Sequence, residues 1–320
     1  MIGATSSIAQ QGVMPAMVKA GHSVVAVASR SREPDPASGY GSFGAVRAYT
    51  GPGSYQAAID DPDVDAVYVP VPNGGHRQWV ERAAAAGRHV LCEKPLAPTA
   101  ADATAMAEAC ASAGVVLAEA YMTAFHPRSP AIAETVASGG LGDLRIGRAG
   151  FTFTHPDPTD HRFDQTQGGG ALLDVGIYCL APLLAAAGRA PVGVAAIAAG
   201  SHGVDTTFTG LLDFGSGFAA TIECSFEAPE RQYLEIIGTR GALVVDRAFT
   251  PGPTDDSFGV VRIDGTLDEV RCGGGDSYLG MVEAFAAVVA GESEQERGPL
   301  ESIALLSVVD RLRSAAGLLP

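Results

Sequence analysis

Ser23-Val24-Val25-Ala26-Val27-Ala28-Ser29 is a short run of residues that is apolar on both faces of an extended chain. Comparable runs follow at 65–70, 89–91 and 115–118, and stretches with helical periodicity separate them at 8–19, 75–86 and 99–113. Short strands that are buried on both faces and alternate with helices are typical of a parallel sheet. We therefore predict that residues 1–122 form an α/β Rossmann domain that binds ligands at the carboxyl ends of its strands.

The pattern changes in the second part of the chain, where strands follow one another directly. The predicted strands include Leu144–Thr154, Thr206–Phe214, Phe218–Phe226 and Tyr233–Ile237. Strands in succession predict an α+β domain over residues 123–320, with a large, mostly antiparallel open sheet. Two helices near 277–290 and 301–316 close the chain and are candidates to pack back on the first domain.

The bulk composition restricts the class of protein. The 320 residues are 47% hydrophobic and carry a formal charge of −15. Such a surface repels nucleic acid and anionic lipid, so neither a nucleic-acid nor a membrane partner is expected. The five cysteines are widely separated, which is typical of reduced thiols in the cytosol. No apolar run approaches the ~20 residues of a membrane span and no export signal is present, so a cytoplasmic location is predicted.

Gly3-Ala4-Thr5-Ser6-Ser7-Ile8-Ala9 occupies the predicted turn from the first strand into the first helix. Amide groups at a helix start, together with the hydroxyls of Ser6 and Ser7, suit a pyrophosphate. The stretch is not a clean GxGxxG, so by itself a plain loop is an equal interpretation. Only Met1 and Ile2 precede Gly3, which implies either a very short first strand or a trimmed start.

The second strand ends in Ala28-Ser29-Arg30, with Arg32 close by. An NAD site places an acidic residue here for the ribose 2′-hydroxyl, whereas a hydroxyl and a guanidinium suit a 2′-phosphate. Arg30 could also lie on the adenine face, or it could be an ordinary solvated arginine. NADP(H) is therefore the preferred cofactor and NAD(H) the alternative.

The third strand leads into an irregular loop that contains Pro70, Pro72 and Asn73. Two prolines and two glycines fix its path where a bound dinucleotide would pass. Asn73 is a candidate to bind the ribose or the carboxamide of the cofactor. His76, at the end of the loop, is a further candidate for cofactor binding, and its side chain has either a structural role at the following helix or a catalytic one.

Two further stretches carry the candidate chemistry. Cys92-Glu93-Lys94-Pro95 places an ammonium at a strand end, and Gly168–Tyr178 places a carboxylate, Asp174, one helical turn before a phenol. A free phenol titrates near ~10, and an ammonium within ~4–6 Å lowers that pKa. Lys94 would thus prepare Tyr178 to exchange a proton during hydride transfer. The competing interpretation of Tyr178 is a core aromatic with a satisfied hydroxyl.

Taken together, Glu93-Lys94-Pro95, Pro72–His76 and Gly168–Tyr178 resemble the Gfo/Idh/MocA oxidoreductases, a family named for glucose–fructose oxidoreductase and inositol dehydrogenase. The resemblance spans nearly the whole chain. With tyrosine at position 178, the chain resembles the branch of this family that contains glucose–fructose oxidoreductase, D-xylose dehydrogenase and dihydrodiol dehydrogenase.

The resemblance implies specific roles. Lys94, Asp174 and Tyr178 would be the catalytic residues, and Glu93 would shape the turn or contact the nicotinamide ribose. Pro95 would follow a cis bond. The branch commonly uses NADP(H), and its open C-terminal sheet often forms a subunit interface, which implies a homodimer or homotetramer.

The substrate is expected to be small and rich in hydroxyl groups. Candidate contacts are Tyr121, His155, His161 and Arg162, of which Arg162 would either bind a substrate anion or cap its own loop. Thr123 and Ala124 stand where the branch often carries larger Tyr and Arg side chains, so substrate identity does not transfer. No metal is expected, because the loop ligands lack zinc-like spacing.

The predicted function is an NADP(H)-dependent dehydrogenase or ketoreductase acting on a sugar, sugar derivative or cyclic diol. Two other functions remain open on the same fold: a nucleotide- or sugar-sensing regulator without catalysis, and a redox-neutral glycosidase that holds NAD.

Overall fold

A computed structural model describes residues 1–30, 46–201 and 203–318 of the chain. It divides into two compact units. The first comprises Met1–Met122 and Tyr278–Ile303, and the second comprises Thr123–Ser277 and Ala304–Pro320. The chain therefore returns to its first unit for one segment near the carboxyl terminus.

The first unit contains parallel strands whose order is that of a Rossmann domain. The strands are β1 (Ala26–Ser29), β2 (Arg47–Thr50), β3 (Ala66–Val69), β4 (His89–Glu93) and β5 (Leu117–Ala120). Strand β1 pairs with β2, and β3, β4 and β5 pair in that order, all in parallel. The helices around them are α1 (Met14–Lys19), α2 (Ser54–Ile59), α3 (His76–Ala85), α4 (Ala100–Ala113) and α7 (Ser277–Val289).

The segment Met1–Ala4 bridges the two groups of strands. The Ile2 amide donates to the Tyr68 carbonyl at 3.2 Å, and the Ala28 amide donates to the Met1 carbonyl at 2.9 Å. Met1–Ala4 thus occupies the central position between β1 and β3, where a first strand belongs. The Met1 ammonium donates to the Ala26 carbonyl at 2.7 Å, and burial lowers the pKa of this amine to about 5.

Helix α4 shows how local sequence sets an element's bounds. The Thr99 hydroxyl accepts a hydrogen bond from the Asp102 amide at 3.1 Å, which satisfies a first-turn donor. Gly114 ends the helix in the left-handed region, with φ of 69°.

The second unit is built on an eight-stranded sheet in the order β13-β12-β11-β10-β6-β9-β8-β7. Its strands are β6 (Leu144–Thr154), β7 (Gly193–Ser201), β8 (Val204–Asp213), β9 (Ala219–Ser225), β10 (Glu227–Gly238), β11 (Gly241–Asp246), β12 (Ser257–Arg262) and β13 (Leu267–Arg271). Neighbouring strands are antiparallel except for β6 and β9. The prediction of a Rossmann domain followed by a large, mostly antiparallel sheet is confirmed.

The two faces of this sheet differ. Along β8, Phe208 and Leu212 are buried while Leu211 is exposed, so one face packs inward and the other is open. The helices of this unit are α5 (Arg128–Ala137), α6 (Ile177–Ala187) and α8 (Pro299–Ala315), the last of which crosses the unit boundary at residue 303.

One apolar segment was not expected from the sequence. Gln165–Ala187 is long and apolar enough to cross a membrane by length and composition alone, so the prediction that no run reaches that length was wrong here. Asp174 is a charged residue within this segment, so the uninterrupted apolar runs on either side of it are shorter than a membrane span. Because 61% of its most apolar 18-residue stretch is buried inside the protein, the segment has the character of a core helix.

Candidate active site

The turn after β4 is fixed by its own acidic residue. The Tyr68 hydroxyl donates to Glu93 Oε1 at 2.5 Å, and the Lys94 amide donates to Glu93 Oε2 at 3.2 Å. Burial raises the pKa of this carboxyl above its ordinary value. The Lys94–Pro95 peptide bond is cis, as the resemblance implied. Of the two roles considered for Glu93, these contacts support shaping the turn that presents Lys94.

A second carboxylate, which the sequence did not single out, holds the far side of this turn. The Leu96 amide donates to Glu119 Oε1 at 2.8 Å, while Arg297 and the Ser302 hydroxyl donate to Oε2 at 2.9 and 2.7 Å. The Arg297 guanidinium also lies 4.4 Å from the centroid of the Tyr121 ring. Burial lowers the Arg297 pKa, but Glu119 outweighs it and leaves the pKa raised.

This packing changes the view of Tyr121. Its side chain is buried, and the Arg297 guanidinium covers one ring face. These contacts support a structural role for Tyr121 within the first unit. Its predicted contact with substrate stays a prediction.

His76 joins two loops of the first unit. Its Nδ1 lies 3.0 Å from the Pro95 carbonyl and its Nε2 lies 2.8 Å from the Val71 carbonyl. The ring is fully buried, and burial lowers its pKa. His76 is the first residue of α3, and both of its ring nitrogens lie against backbone carbonyls outside that helix. The geometry therefore favours the structural interpretation of His76, as a tie between the loop after β3 and the turn that follows Lys94.

The glycine turn at the start of the chain is formed as a close approach. Gly3 has φ of +65°, and a Cβ atom on it would lie 2.9 Å from the Pro70 carbonyl oxygen. Helical residues begin at Ser7 and run through a π-helical stretch at Ala9–Val13 into α1; Thr5 and Ser7 are exposed and Ala4 is buried. The first-turn amides of such a helix have no intrahelical partner and suit an anion. The predicted pyrophosphate contacts of Gly3, Ala4, Thr5, Ser6, Ser7 and Ile8 remain predictions.

The loop after β3 forms one turn of 3₁₀-helix at Asn73–Gly75, closed by a hydrogen bond from the Gly75 amide to the Pro72 carbonyl at 2.8 Å. Pro70 is buried, whereas Pro72 and Asn73 are partly exposed. Contacts of Pro70, Pro72 and Asn73 with the cofactor remain predictions.

Arg30 lies at the end of β1, where it is exposed, and its guanidinium lies 5.4 Å from the centroid of the Tyr55 ring. Ser29 is buried, and its carbonyl accepts from the Ser54 hydroxyl at 3.0 Å. Arg32 lies outside the described residues.

Three glycines fix the start of a continuous helical run over residues 171–187, which consists of a π-helical stretch at Leu172–Gly176 followed by α6 and carries both Asp174 and Tyr178. Gly168 has φ of 74° and Gly170 has φ of 124°. A Cβ atom on Gly169 would strike the Arg162 carbonyl, and one on Gly170 would strike the Asp205 carboxylate. The Leu172 amide donates to Asp205 Oδ2 at 2.7 Å, and burial raises the pKa of Asp205 to about 6. Nothing in the sequence around Asp205 indicates this role, because its hydrogen-bond partner Leu172 is 33 residues away.

Asp174 is paired with Arg162 rather than standing alone. Arg162 Nε donates to Asp174 Oδ2 at 2.7 Å, and its Nη1 donates to Asp160 Oδ1 at 3.1 Å. Burial lowers the Arg162 pKa, but the two carboxylates outweigh it and leave the pKa raised. These contacts favour the loop-anchoring role of Arg162 over binding of a substrate anion.

Tyr178 follows Asp174 by one turn and is 5% exposed. Its ring centroid lies 5.9 Å from that of Phe151 and 6.3 Å from that of Phe249. A core aromatic residue and a tyrosine that transfers a proton would both pack in this way. The packing of Tyr178 is therefore compatible with both interpretations, which differ in what its hydroxyl does.

The two histidines of the preceding loop gather at Asp160. His161 Nδ1 lies 3.1 Å from Asp160 Oδ1, and His155 Nε2 lies 3.7 Å from Oδ2. The His155 ring also packs edge-on against Phe163 at 5.6 Å. Within the part of the chain that the structure describes, no group of three or more His, Cys, Asp or Glu side chains is arranged to hold a metal ion.

The structure thus brings Asp174, Arg162, Asp160 and the two loop histidines together in the second unit, and it fixes the Lys94 turn in the first. The arrangement offers a carboxylate and a phenol on one helix, and an ammonium at a strand end. The pairing of Lys94 with Tyr178 stays a prediction.

Sequence models of two protein domains match this chain. A model described as an oxidoreductase family with an NAD-binding Rossmann fold matches residues 1–121. A model of the GFO/IDH/MocA C-terminal domain matches residues 130–244. The matched regions cover most of the chain.

Curated relatives include dehydrogenases and reductases. A D-xylose 1-dehydrogenase (NADP(+)) of Haloferax volcanii is 38% identical, over 98% of this chain and 95% of the relative. A dTDP-3,4-didehydro-2,6-dideoxy-alpha-D-glucose 3-reductase of Saccharopolyspora spinosa is 36% identical, over 88% of this chain and 84% of the relative.

Solved structures similar to this chain include a reductase as well. A 3-ketoreductase from Actinomadura kijaniata, complexed with TDP-benzene and NADP, superposes with a TM-score of 0.90 at 29% identity, covering 98% of this chain and 96% of that one. The predicted nicotinamide cofactor and the predicted enzyme class are confirmed by the family description and by these relatives. The chain therefore belongs to the Gfo/Idh/MocA family of oxidoreductases.

Proposed function

We propose that this protein transfers a hydride between NADP(H) and a hydroxyl or keto carbon of a sugar or sugar derivative, with Tyr178 as the acid/base and Lys94 as its electrostatic partner. The observation that carries the proposal is the construction of the Tyr178 helix. Its start is pinned by three glycines and Asp205, and Asp174 is held by Arg162 one turn before Tyr178. A reacting group needs this kind of fixed support.

The relatives support the choice of Tyr178 and Lys94. The solved structures of the Actinomadura kijaniata ketoreductase include a variant in which a tyrosine is changed to phenylalanine, and others in which a lysine is changed to alanine or glutamate. A tyrosine and a lysine are also the residue types that this chain presents in its motifs.

In the proposed reaction, a bound nicotinamide supplies the carbon that accepts or gives the hydride. Tyr178 takes the hydroxyl proton in oxidation and returns it to the carbonyl oxygen in reduction. The Lys94 ammonium stabilises the phenolate form of Tyr178. Asp174, oriented by Arg162, would accept a hydrogen bond from a substrate hydroxyl.

NADP(H) is the proposed cofactor, with NAD(H) as the weaker alternative. Arg30 is exposed at the end of β1, where a 2′-phosphate would lie in a Rossmann domain. The Haloferax relative is named for NADP(+), and the ketoreductase was solved with NADP.

The junction after β5 supports a reshaped substrate pocket. The Thr123 hydroxyl donates to the Phe249 carbonyl at 2.5 Å, so this side chain is committed to the second unit's own packing. Ala124 offers only a methyl group. Free aldoses, nucleotide-linked ketosugars and cyclic diols are all represented among the relatives' names, so each class belongs in a screen.

The proposal is tested by a substrate screen over several pH values. Sugars and cyclic diols are assayed for NADP⁺ reduction, and ketosugars for NADPH oxidation, with a Lys94→Met variant as the control for contaminating enzymes. Turnover of at least one sugar by the native chain, with loss in the variant, supports the proposal. Turnover that survives in Lys94→Met contradicts it, and so does cofactor binding without turnover of any substrate class, which would favour a sensing regulator.

A further inference from the structure

The end of β1 presents an arginine on an aromatic support. The Arg30 guanidinium lies 5.4 Å from the Tyr55 ring centroid, within the ~6 Å range of a cation–π contact. Tyr55 is only 6% exposed, so its ring is a fixed surface rather than a mobile one. Within residues 1–30, 46–201 and 203–318, no hydrogen bond or ion pair engages the Arg30 side chain.

The ring beneath Arg30 is itself held in place. Tyr55 packs edge-on against Trp79, with their centroids 5.0 Å apart. The Arg82 guanidinium lies 5.0 Å from the Trp79 ring centroid, and its Nη1 donates to Gln56 on α2 at 3.3 Å. Helices α2 and α3 thus lock the ring on which Arg30 rests.

This geometry leaves the useful part of the guanidinium available. The contact with the Tyr55 ring uses none of the five N–H donors of the guanidinium in a hydrogen bond among the described residues. Two of these donors can therefore bind a phosphate in a forked manner while the Arg30 side chain stays next to the ring.

We propose that Tyr55 is a positioning residue for cofactor choice: it holds Arg30 in place for the 2′-phosphate of NADP(H). The inference rests on the proposed role of Arg30 and deepens it. Tyr55 does not touch the phosphate. It restricts Arg30 to few side-chain conformations before the cofactor binds. Arg30 therefore loses less conformational entropy on binding.

The test measures binding rather than turnover. Trp79 is the only tryptophan in the chain, so quenching of its fluorescence gives dissociation constants for NADPH and NADH directly. The variants are Tyr55→Leu, which removes the ring, Tyr55→Phe, which keeps it, and Arg30→Ala. Thermal melting checks that each variant is folded, and calorimetric titration repeats the measurement without fluorescence.

Tyr55→Leu is expected to weaken NADPH binding about 2- to 5-fold, the usual strength of an exposed cation–π contact, and to leave NADH binding unchanged. Tyr55→Phe is expected to behave as the native chain. Arg30→Ala is expected to weaken NADPH binding roughly 10-fold or more, and adding Tyr55→Leu to it should cost nothing further.

Two results overturn the inference in distinguishable ways. If Arg30→Ala discriminates between the cofactors but Tyr55→Leu weakens both equally or neither, Tyr55 does not act through Arg30, and the proposed cofactor preference survives. If Arg30→Ala itself leaves the ratio of the two dissociation constants unchanged, Arg30 does not recognise a 2′-phosphate, and both claims fail.

Discussion

Asp174 and Arg162 illustrate how a single contact changes the role of a residue. From the sequence, Arg162 was equally suited to a substrate anion and to its own loop. The 2.7 Å bond from Arg162 Nε to Asp174 Oδ2 commits the guanidinium to orienting a carboxylate. A half-buried ion pair with a second acceptor, Asp160, is more ordered than an exposed pair on the surface.

We predict that Arg162→Met lowers kcat roughly 10-fold, because Asp174 loses its orientation, while NADPH binding changes little. Steady-state kinetics with the substrate found by the screen measures this. Arg145→Met is the matched control, since Arg145 is exposed and its ion pair with Asp143 lies on the surface. Native kcat in Arg162→Met would show that the pair is not part of the active site.

At the level of the element, the Tyr178 helix depends on how its start is made. Gly170 has φ of 124° and lies against the Asp205 carboxylate, so a side chain there meets both backbone strain and a clash. The other end of the helix is less demanding. Gly188 also has positive φ, 61°, but open space surrounds its Cβ position.

Gly170→Ala is therefore expected to lower the free energy of unfolding by at least ~2 kcal/mol, and Gly188→Ala by only ~1 kcal/mol. Urea denaturation of the two variants measures the difference. Equal losses would mean that the packing of Asp205 against Gly170 does not constrain the helix start.

Asp205 also gives this element a pH dependence. Burial raises its pKa to about 6, against 3.8 as the ordinary value. The folded state thus binds the proton more tightly than the unfolded state. Its contribution to stability is fully present below the ordinary pKa and is lost as pH rises to about 6.

The difference in unfolding free energy between the native chain and Asp205→Asn, which cannot titrate, should fall by about 2–3 kcal/mol between pH 4 and pH 7. Urea denaturation across this range measures it. A pH-independent difference would show that folding does not raise the pKa of Asp205.

At the level of the whole molecule, sequence patterns predicted those features that depend on interactions between residues close together in the chain. The two fold classes and the Lys94 turn were visible in strand runs, glycines and short motifs. The contacts that hold these features in place were not visible in the sequence, because they join segments that are far apart along the chain. Glu119 and Arg297 are 178 residues apart, and no pattern in the sequence around either residue predicts their contact.

The open face of the C-terminal sheet concerns assembly. Ile197 on β7 is 77% exposed and Leu211 on β8 is 49% exposed, on the face turned away from the core. Exposed apolar patches on sheets often mark interfaces, which agrees with the predicted homodimer or homotetramer.

The double variant Ile197→Lys, Leu211→Lys is expected to weaken self-association at least ~10-fold, because charges replace buried apolar contacts. Analytical ultracentrifugation measures this. Ile263→Lys, at an 84% exposed position outside the strands, is the control. Unchanged association in the double variant would place the interface elsewhere.

The central claim is that Tyr178 carries the proton during hydride transfer, and single-turnover kinetics of Tyr178→Phe test it most directly. Phenylalanine keeps the packing against Phe151 and Phe249 and removes only the hydroxyl. We predict that the rate of hydride transfer falls at least ~100-fold, while the NADPH dissociation constant read from Trp79 fluorescence stays unchanged. Hydride transfer at a near-native rate in Tyr178→Phe would contradict the claim.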